Sequence, residues 1–294
     1  MPLEEDIRIA YDNYPTHAAP DPGTDRQRTA RLHHRAANLM RAAYLAHRFN
    51  YGNRVGMPFR RLLALPILFL RIERDTLDIP MRYLAVPEKG RLLDIGCGDG
   101  YVLKLAEELG WDAEGVDFDT RAVANARCKG LKVRLGQLAD QRIPDDSFDL
   151  ILMSHVIEHV HHPLATLSEI RRVLRAGGTL MLATPNADGW GHRHFGRFWR
   201  GIEPPRHLNI FTGANLLELA GRAEFTRSTV STTLRITEHG FVQSRLVSRT
   251  GYGEHGQTVS WWEVVSGKSA AVAENLMRKW DPLYADELLL EARK

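Results

Sequence analysis

Leu92-Leu93-Asp94-Ile95-Gly96-Cys97-Gly98-Asp99-Gly100-Tyr101 is the stretch whose reading decides the fold. An apolar run ends in a carboxylate, glycines alternate through a tight turn, and Tyr101 to Leu109 suits a helix. This is a strand–loop–helix unit in which missing Cβ atoms let a ligand lie against the backbone. A dinucleotide fingerprint needs G-x-G-x-x-G, whose third glycine packs helix on strand beneath a pyrophosphate. Here the glycines fall at 96, 98 and 100, and Tyr occupies 101. Asp94 at the strand end would repel a phosphate and suit a cation. Cys97 reads as a small residue that fits the turn.

Outward from this loop, the pattern from Gly90 onward alternates strand and helix, the signature of a parallel sheet covered on both faces. Strands are expected at Arg91–Ile95, Ala113–Phe118, Lys132–Leu135, Phe148–Met153 and Thr179–Ala183, the last led in by Gly177-Gly178. Helices are expected over Thr120–Lys129 and Leu164–Leu174. Arg227–Leu234 and Glu287–Ala292 complete the strands, with helices at Asn215–Arg222 and Ser269–Lys279. Residues 186–210 and 237–267 read as insertions rich in Gly, His, Arg and Trp. Upstream, residues 1–25 are polar and broken by Pro15, Pro20, Pro22 and Gly23. Helices are expected from Thr24 or Asp25 to Phe49, and from Pro58 to Tyr83 with an interruption near Pro66.

The 294 residues, 44% hydrophobic and 26% charged, suit a soluble globular protein with a sizeable core. Two cysteines, Cys97 and Cys128, exclude a disulfide scaffold and fit a reducing, cytoplasmic setting. Met1 to Asp6 is acidic, unlike a signal sequence. The longest apolar run, Leu62 to Leu70, is nine residues and contains Pro66, whereas spanning a bilayer takes ~20 residues. Between Arg26 and Arg71 stand ten arginines and three histidines without one Asp or Glu. Such sidedness suits either an acidic partner or a solvated basic face.

Further motifs fall at the expected strand ends. Asp117, in Gly115-Val116-Asp117-Phe118-Asp119, ends strand two, where the ribose of a bound nucleoside lies. A carboxylate there accepts both vicinal hydroxyls, and Phe118 can stack on adenine. After strand four comes Ser154-His155-Val156-Ile157-Glu158-His159. His155-x-x-Glu158-His159 matches the H-x-x-E-H zinc pattern, but it follows a buried strand and runs into a turn before Pro163. No metal site is expected from it.

Together these motifs resemble the class I S-adenosylmethionine-dependent methyltransferases, in particular the small-molecule enzymes of the ubiquinone and menaquinone biosynthesis type. The resemblance covers about residues 81–294. It implies an α/β, Rossmann-like, seven-stranded, mostly parallel sheet in the order 3-2-1-4-5-7-6, preceded by an N-terminal helical extension over residues 1–80. It implies S-adenosyl-L-methionine as cofactor, held by Asp94, Gly96, Cys97, Gly98, Asp117 and Phe118. Gln137 and Leu138 would meet adenine, with Gln137 in place of the more usual Asp. Ser154 and His155 would approach the methionine moiety, while Glu158 and His159 face the acceptor. In Glu203-Pro204-Pro205-Arg206-His207-Leu208, His207 would sit at the mouth of the active site as general base, or else hydrogen-bond within its loop. Tyr11, Tyr14, Trp199 and Arg206 are the expected acceptor-binding residues, His159 is the alternative base, and residues 186–210 and 237–267 are lid-like insertions.

The expected reaction is methyl transfer to a small-molecule acceptor, with oxygen favoured over nitrogen, carbon or sulfur. No nucleic-acid partner is favoured. Two other classes stay open. One is a methyltransferase acting on RNA or a carrier-bound substrate that docks on the arginine-rich extension. The other is a non-catalytic cofactor-binding protein that uses Leu62 to Leu70 at a membrane surface.

Overall fold

The computed structural model describes residues 27–49, 51, 57–69, 71–86, 88–251 and 260–294. They divide into two compact units, one ending at Pro87 and one running from Glu88 to Lys294. Tyr11 and Tyr14 lie outside the described residues.

The first unit holds α1 (Gln27–Phe49), α2 (Met57–Phe69) and α3 (Arg71–Leu84). Tyr44, fully buried, packs with Ala64 and Ile67 and donates its hydroxyl to Asp78 at 2.5 Å. Arg41 grips Glu73 through two bonds of 2.9 and 3.0 Å, fixing α1 against α3. Pro66, where an interruption was expected, lies within α2. Phe59, Leu62 and Leu65 of α2 are exposed.

The second unit is a seven-stranded sheet in the order β3-β2-β1-β4-β5-β7-β6. Its strands are β1 (Arg91–Ile95), β2 (Asp112–Asp117), β3 (Val133–Leu135), β4 (Phe148–Ser154), β5 (Leu174–Pro185), β6 (Arg227–Thr233) and β7 (Glu287–Arg293). β1 to β5 pair in parallel, which the helices α4 (Tyr101–Glu108), α5 (Thr120–Cys128) and α6 (Pro163–Val173) make possible as crossovers. β7 lies antiparallel between β5 and β6. Apolar residues of β1, β4, β5 and β7, among them Leu93, Ile151, Leu180 and Leu290, form a core with Leu167, Ile170 and Leu216 of the covering helices. β6 alternates exposed and half-buried residues through most of its length, as an edge strand with one wet face should.

Three stretches differ from expectation. β5 begins at Leu174 and absorbs Gly177-Gly178 as a register shift, with Gly177 at φ +75°. α7 (Trp190–Phe195) lies within the stretch read as the first insertion, and α8 (Gly213–Arg222), which follows it, begins two residues before the expected Asn215. The second insertion is largely helical: α9 (Thr237–Thr250) and α10 (Trp261–Met277). Ser260 accepts from the Glu263 backbone N–H at 3.3 Å while the Glu263 carboxylate accepts from the Ser260 N–H at 2.7 Å. This capping box starts α10 eight residues before the expected Ser269.

Candidate active site

The glycine loop lies on the carboxyl edge of β1. Gly96 and Gly98 adopt φ values of +73° and +54°, and Gly100, at +83°, starts α4. A Cβ on Gly96 would overlap Val156, so the segment after β4 packs directly on this loop. Around Gly98 the reverse holds: nothing lies within 4 Å of where its Cβ would stand. The Gly98 N–H donates to Asp117 Oδ2 at 2.8 Å, and Asp117 Oδ1 accepts from the Asp119 N–H at 2.9 Å. Asp117 thereby ties the loop to the end of β2. Cys97 is buried, and burial pushes its thiol far above the usual range, consistent with a packing role.

Asp94 and Asp117 are both buried. Burial, and then the charge of Asp117, push the Asp94 carboxyl up to about 7. Two desolvated carboxylates beside an open glycine backbone favour a cationic group and disfavour phosphate. S-Adenosylmethionine, with its sulfonium, ammonium and vicinal hydroxyls, matches that donor set, and half-exposed Phe118 presents a ring for adenine. Gln137 is exposed and its carbonyl accepts from Gln141 Nε2 at 3.0 Å. Leu138 differs from the adenine contact expected of it in one respect: its side chain belongs to the hydrophobic core.

The segment after β4 holds a buried charge network. His155, at φ +54°, is bracketed by Glu158 Oε1 at 3.2 Å from Nδ1 and Glu287 Oε1 at 2.7 Å from Nε2. A carboxylate only accepts, so both ring nitrogens carry protons. Burial opposes the charge, but the two carboxylates outweigh it and raise the imidazole to about 9. Glu287 also accepts from Thr233 and Arg235. Arg235 reaches on to Ser154 Oγ at 3.0 Å. Glu158 Oε2 accepts from Thr184 Oγ1 at 3.0 Å. With 32% of its side chain exposed and both nitrogens engaged, His155 can show a bound ligand only carbon edge or ring face.

His159 and His207 meet edge to face, ring centroids 4.7 Å apart. The 203–209 loop is stitched to the β4 segment by the Leu208 and Asn209 N–H groups, which donate to the Glu158 carbonyl at 2.8 and 3.1 Å. Asn209 Nδ2 adds a bond to the Val160 carbonyl at 2.7 Å. His159 Nδ1 donates to the Arg206 carbonyl at 3.0 Å, and His207 Nδ1 to the Gly201 carbonyl at 2.6 Å. Each carbonyl favours the Nδ1–H tautomer of the neutral ring, and His207 Nε2 lies 3.6 Å from Glu203 Oε2. The His207 side chain is 8% exposed, and its desolvation holds its pKa below the usual imidazole value. Glu158, His159 and His207 bring one ligand atom each within 4.8 Å of one another.

Trp199 and Arg206, expected at the acceptor, take up internal positions. Trp199 is buried, stacks on His192 at 5.0 Å and hydrogen-bonds Asp286. Arg206 and Arg200 form ion pairs with Glu203, whose carboxyl is kept low by these cations against its burial. Trp190 stacks on Phe241 of α9, so the aromatic stretch is folded down on that helix. Arg235, Glu287 and Thr184 were not expected at the site. One signal was visible: Asp286-Glu287 places two acids at the mouth of an otherwise apolar strand.

Fold, glycine loop and paired acids define a class I S-adenosylmethionine-dependent methyltransferase. The family profile of a methyltransferase domain matches residues 69–229, and the chain belongs to that family. It is similar to a probable S-adenosylmethionine-dependent methyltransferase of Mycolicibacterium smegmatis, 37% identical over 138 residues, covering 44% of this chain and 51% of that one. A ubiquinone biosynthesis O-methyltransferase of Cereibacter sphaeroides is 37% identical over 102 residues, 33% of this chain and 41% of that one. A malonyl-[acyl-carrier protein] O-methyltransferase of Serratia marcescens is 28% identical over 165 residues, 55% of this chain and 63% of that one. The chain thus spans about half the length of the curated relatives it matches. In fold it resembles the crystal structure of a methyltransferase from Archaeoglobus fulgidus, with a TM-score of 0.51 at 19% identity over 75% of this chain and 94% of that one.

Proposed function

We propose that the protein transfers a methyl group from S-adenosylmethionine to an oxygen of a small-molecule acceptor, with His207 as general base. The observation that carries this reading is the His207 ring, pinned through Nδ1 to the Gly201 carbonyl and held neutral by burial beside His159 and Glu158. When bound, the cofactor supplies a methyl already activated on a sulfonium. Asp94 faces the cationic end, Asp117 accepts the ribose hydroxyls, and Phe118 covers the adenine. Glu158 orients His155 and lends negative charge to the histidine pair. His207 Nε2 receives the acceptor proton, a role that supplies roughly 10²–10⁴-fold in rate. The O-methyltransferase relatives support oxygen as the acceptor atom. The malonyl-carrier relative supports a second reading, an acceptor presented on a carrier protein.

The test is calorimetric titration with S-adenosylhomocysteine and, separately, NADH, followed by labelled methyl transfer into small-molecule and protein fractions of an extract. Binding of the first ligand alone is expected, whereas binding of NADH alone overturns the reading of the loop. His207→Ala should lower turnover by ~10²-fold or more while leaving S-adenosylhomocysteine affinity nearly intact. Equal loss in both would make His207 a structural residue.

A further inference from the structure

Helix α10 is built inside out. Its inward stripe is Glu263, Gly267, Ala270, Ala271 and Glu274, all buried. Its outward side carries Trp261 and Trp262, 57% and 70% exposed, with Val265, Val272 and Leu276, and Trp280 just beyond is 75% exposed. A surface helix ordinarily does the opposite, burying its large apolar residues and wetting its charged ones. The inward carboxylates are held by built contacts. Glu263 caps the helix and pairs with Arg249 at 3.0 Å, and Glu274 accepts the Asp286 backbone N–H at 2.7 Å. With both acids of α10 turned inward, the charge it shows is cationic: Lys268 on the helix and Lys279 just after it are exposed. Arg245 and Arg249 of the neighbouring α9 are exposed as well.

Large contiguous apolar exposure marks an interaction surface. Tryptophans beside lysines on one helix face match the interface of a bilayer, where indole rings sit at headgroup level and cations meet anionic lipid. A second copy of this chain fits less well, because a two-fold contact through α10 sets the same basic face against itself. We propose that α10 docks the protein on a membrane surface containing anionic lipid, with Trp261, Trp262 and Trp280 inserted among the headgroups. This surface is independent of the methyl-transfer reading.

The test is co-sedimentation of the full chain with vesicles of phosphatidylcholine alone or mixed with phosphatidylglycerol. Binding to the mixed vesicles only is expected, weakening as salt is raised. Replacement by Trp261→Ser, Trp262→Ser and Trp280→Ser should reduce it by about tenfold or more. An unchanged melting midpoint and S-adenosylhomocysteine affinity would show that this variant is folded. Lys268→Glu with Lys279→Glu, a milder change, should weaken binding by about fivefold or more and serves if the triple variant does not fold. The proposal is overturned if the wild type stays in the supernatant, or if the folded variants bind as it does. It is overturned equally if sedimentation equilibrium shows a dimer that the tryptophan changes dissociate, which would assign the face to a second copy.

Discussion

With Asp94 proposed to face the cationic end of the cofactor, cofactor binding is expected to be a proton-linked event. Its carboxyl titrates near 7, far above its ordinary 3.8, because it is buried beside Asp117. An acid raised on folding favours the fold below its ordinary value, and that advantage is lost as pH rises through about 7. A cation placed against it reverses the shift, so binding should expel a proton. S-Adenosylmethionine affinity should then rise about tenfold from pH 6 to pH 8 and level off above. Calorimetry in two buffers of different ionisation enthalpy reads the released proton directly, and Asp94→Asn should abolish both release and pH dependence. A binding heat independent of buffer would remove Asp94 from the cationic end of the site.

At the scale of elements, the glycine loop sorts its residues by what surrounds them. Gly96 is filled against Val156, whereas Gly98 looks onto open space. Gly98→Ala keeps the loop packing and costs about 1–2 kcal/mol of left-handed strain, with its methyl standing where the cofactor would lie. The variant should stay folded and lose at least about tenfold in S-adenosylhomocysteine affinity, because a methyl there removes close backbone approach. Gly96→Ala should instead lower the melting midpoint by displacing Val156. Equal binding by Gly98→Ala would mean that the open side of the loop is not the cradle.

The loop was legible in the sequence because one strand, one turn and one helix carry all of its chemistry within ten positions. Asp117 was legible for a similar reason, since the parallel crossover fixes where the next strand ends. α10 was harder. It was expected only over Ser269–Lys279, because the large apolar residues of its first half face outward and only the Ser260 to Glu263 capping box marks its start. The stretch around Trp199 was expected as a lid with Trp199 toward the acceptor, and the bond by which Asp286, far along the chain, holds the Trp199 ring leaves no mark in the local sequence.

Across the whole molecule, the network joining Arg235, Glu287, His155 and Glu158 links β4, β7 and the end of β6. Nothing local foretold it, because His155 and Glu287 are 132 positions apart. The imidazolium contributes stability in full below its ordinary pKa near 6.5, and that contribution fades as pH rises through about 9. His155→Gln should therefore lower unfolding free energy by ~2 kcal/mol at pH 6, with the gap to wild type narrowing by pH 9.5. Denaturant melts at both values check this, and a gap independent of pH would mean that the histidine is neutral in the fold.

β7 has one more consequence, in time. It is the last of the described strands in the sequence, yet it is inserted between β5 and β6, one place in from the sheet edge, and carries the carboxylate beneath His155. While a ribosome is still extending the chain, β1 to β5 can assemble, but β6 has no neighbour and the imidazolium lacks half of its counter-charge. The nascent protein therefore waits with an unpaired strand edge beside β5, a surface on which chaperones act and on which neighbouring nascent chains can pair. Slowing translation just upstream of the Glu287 codon should lengthen that exposed interval.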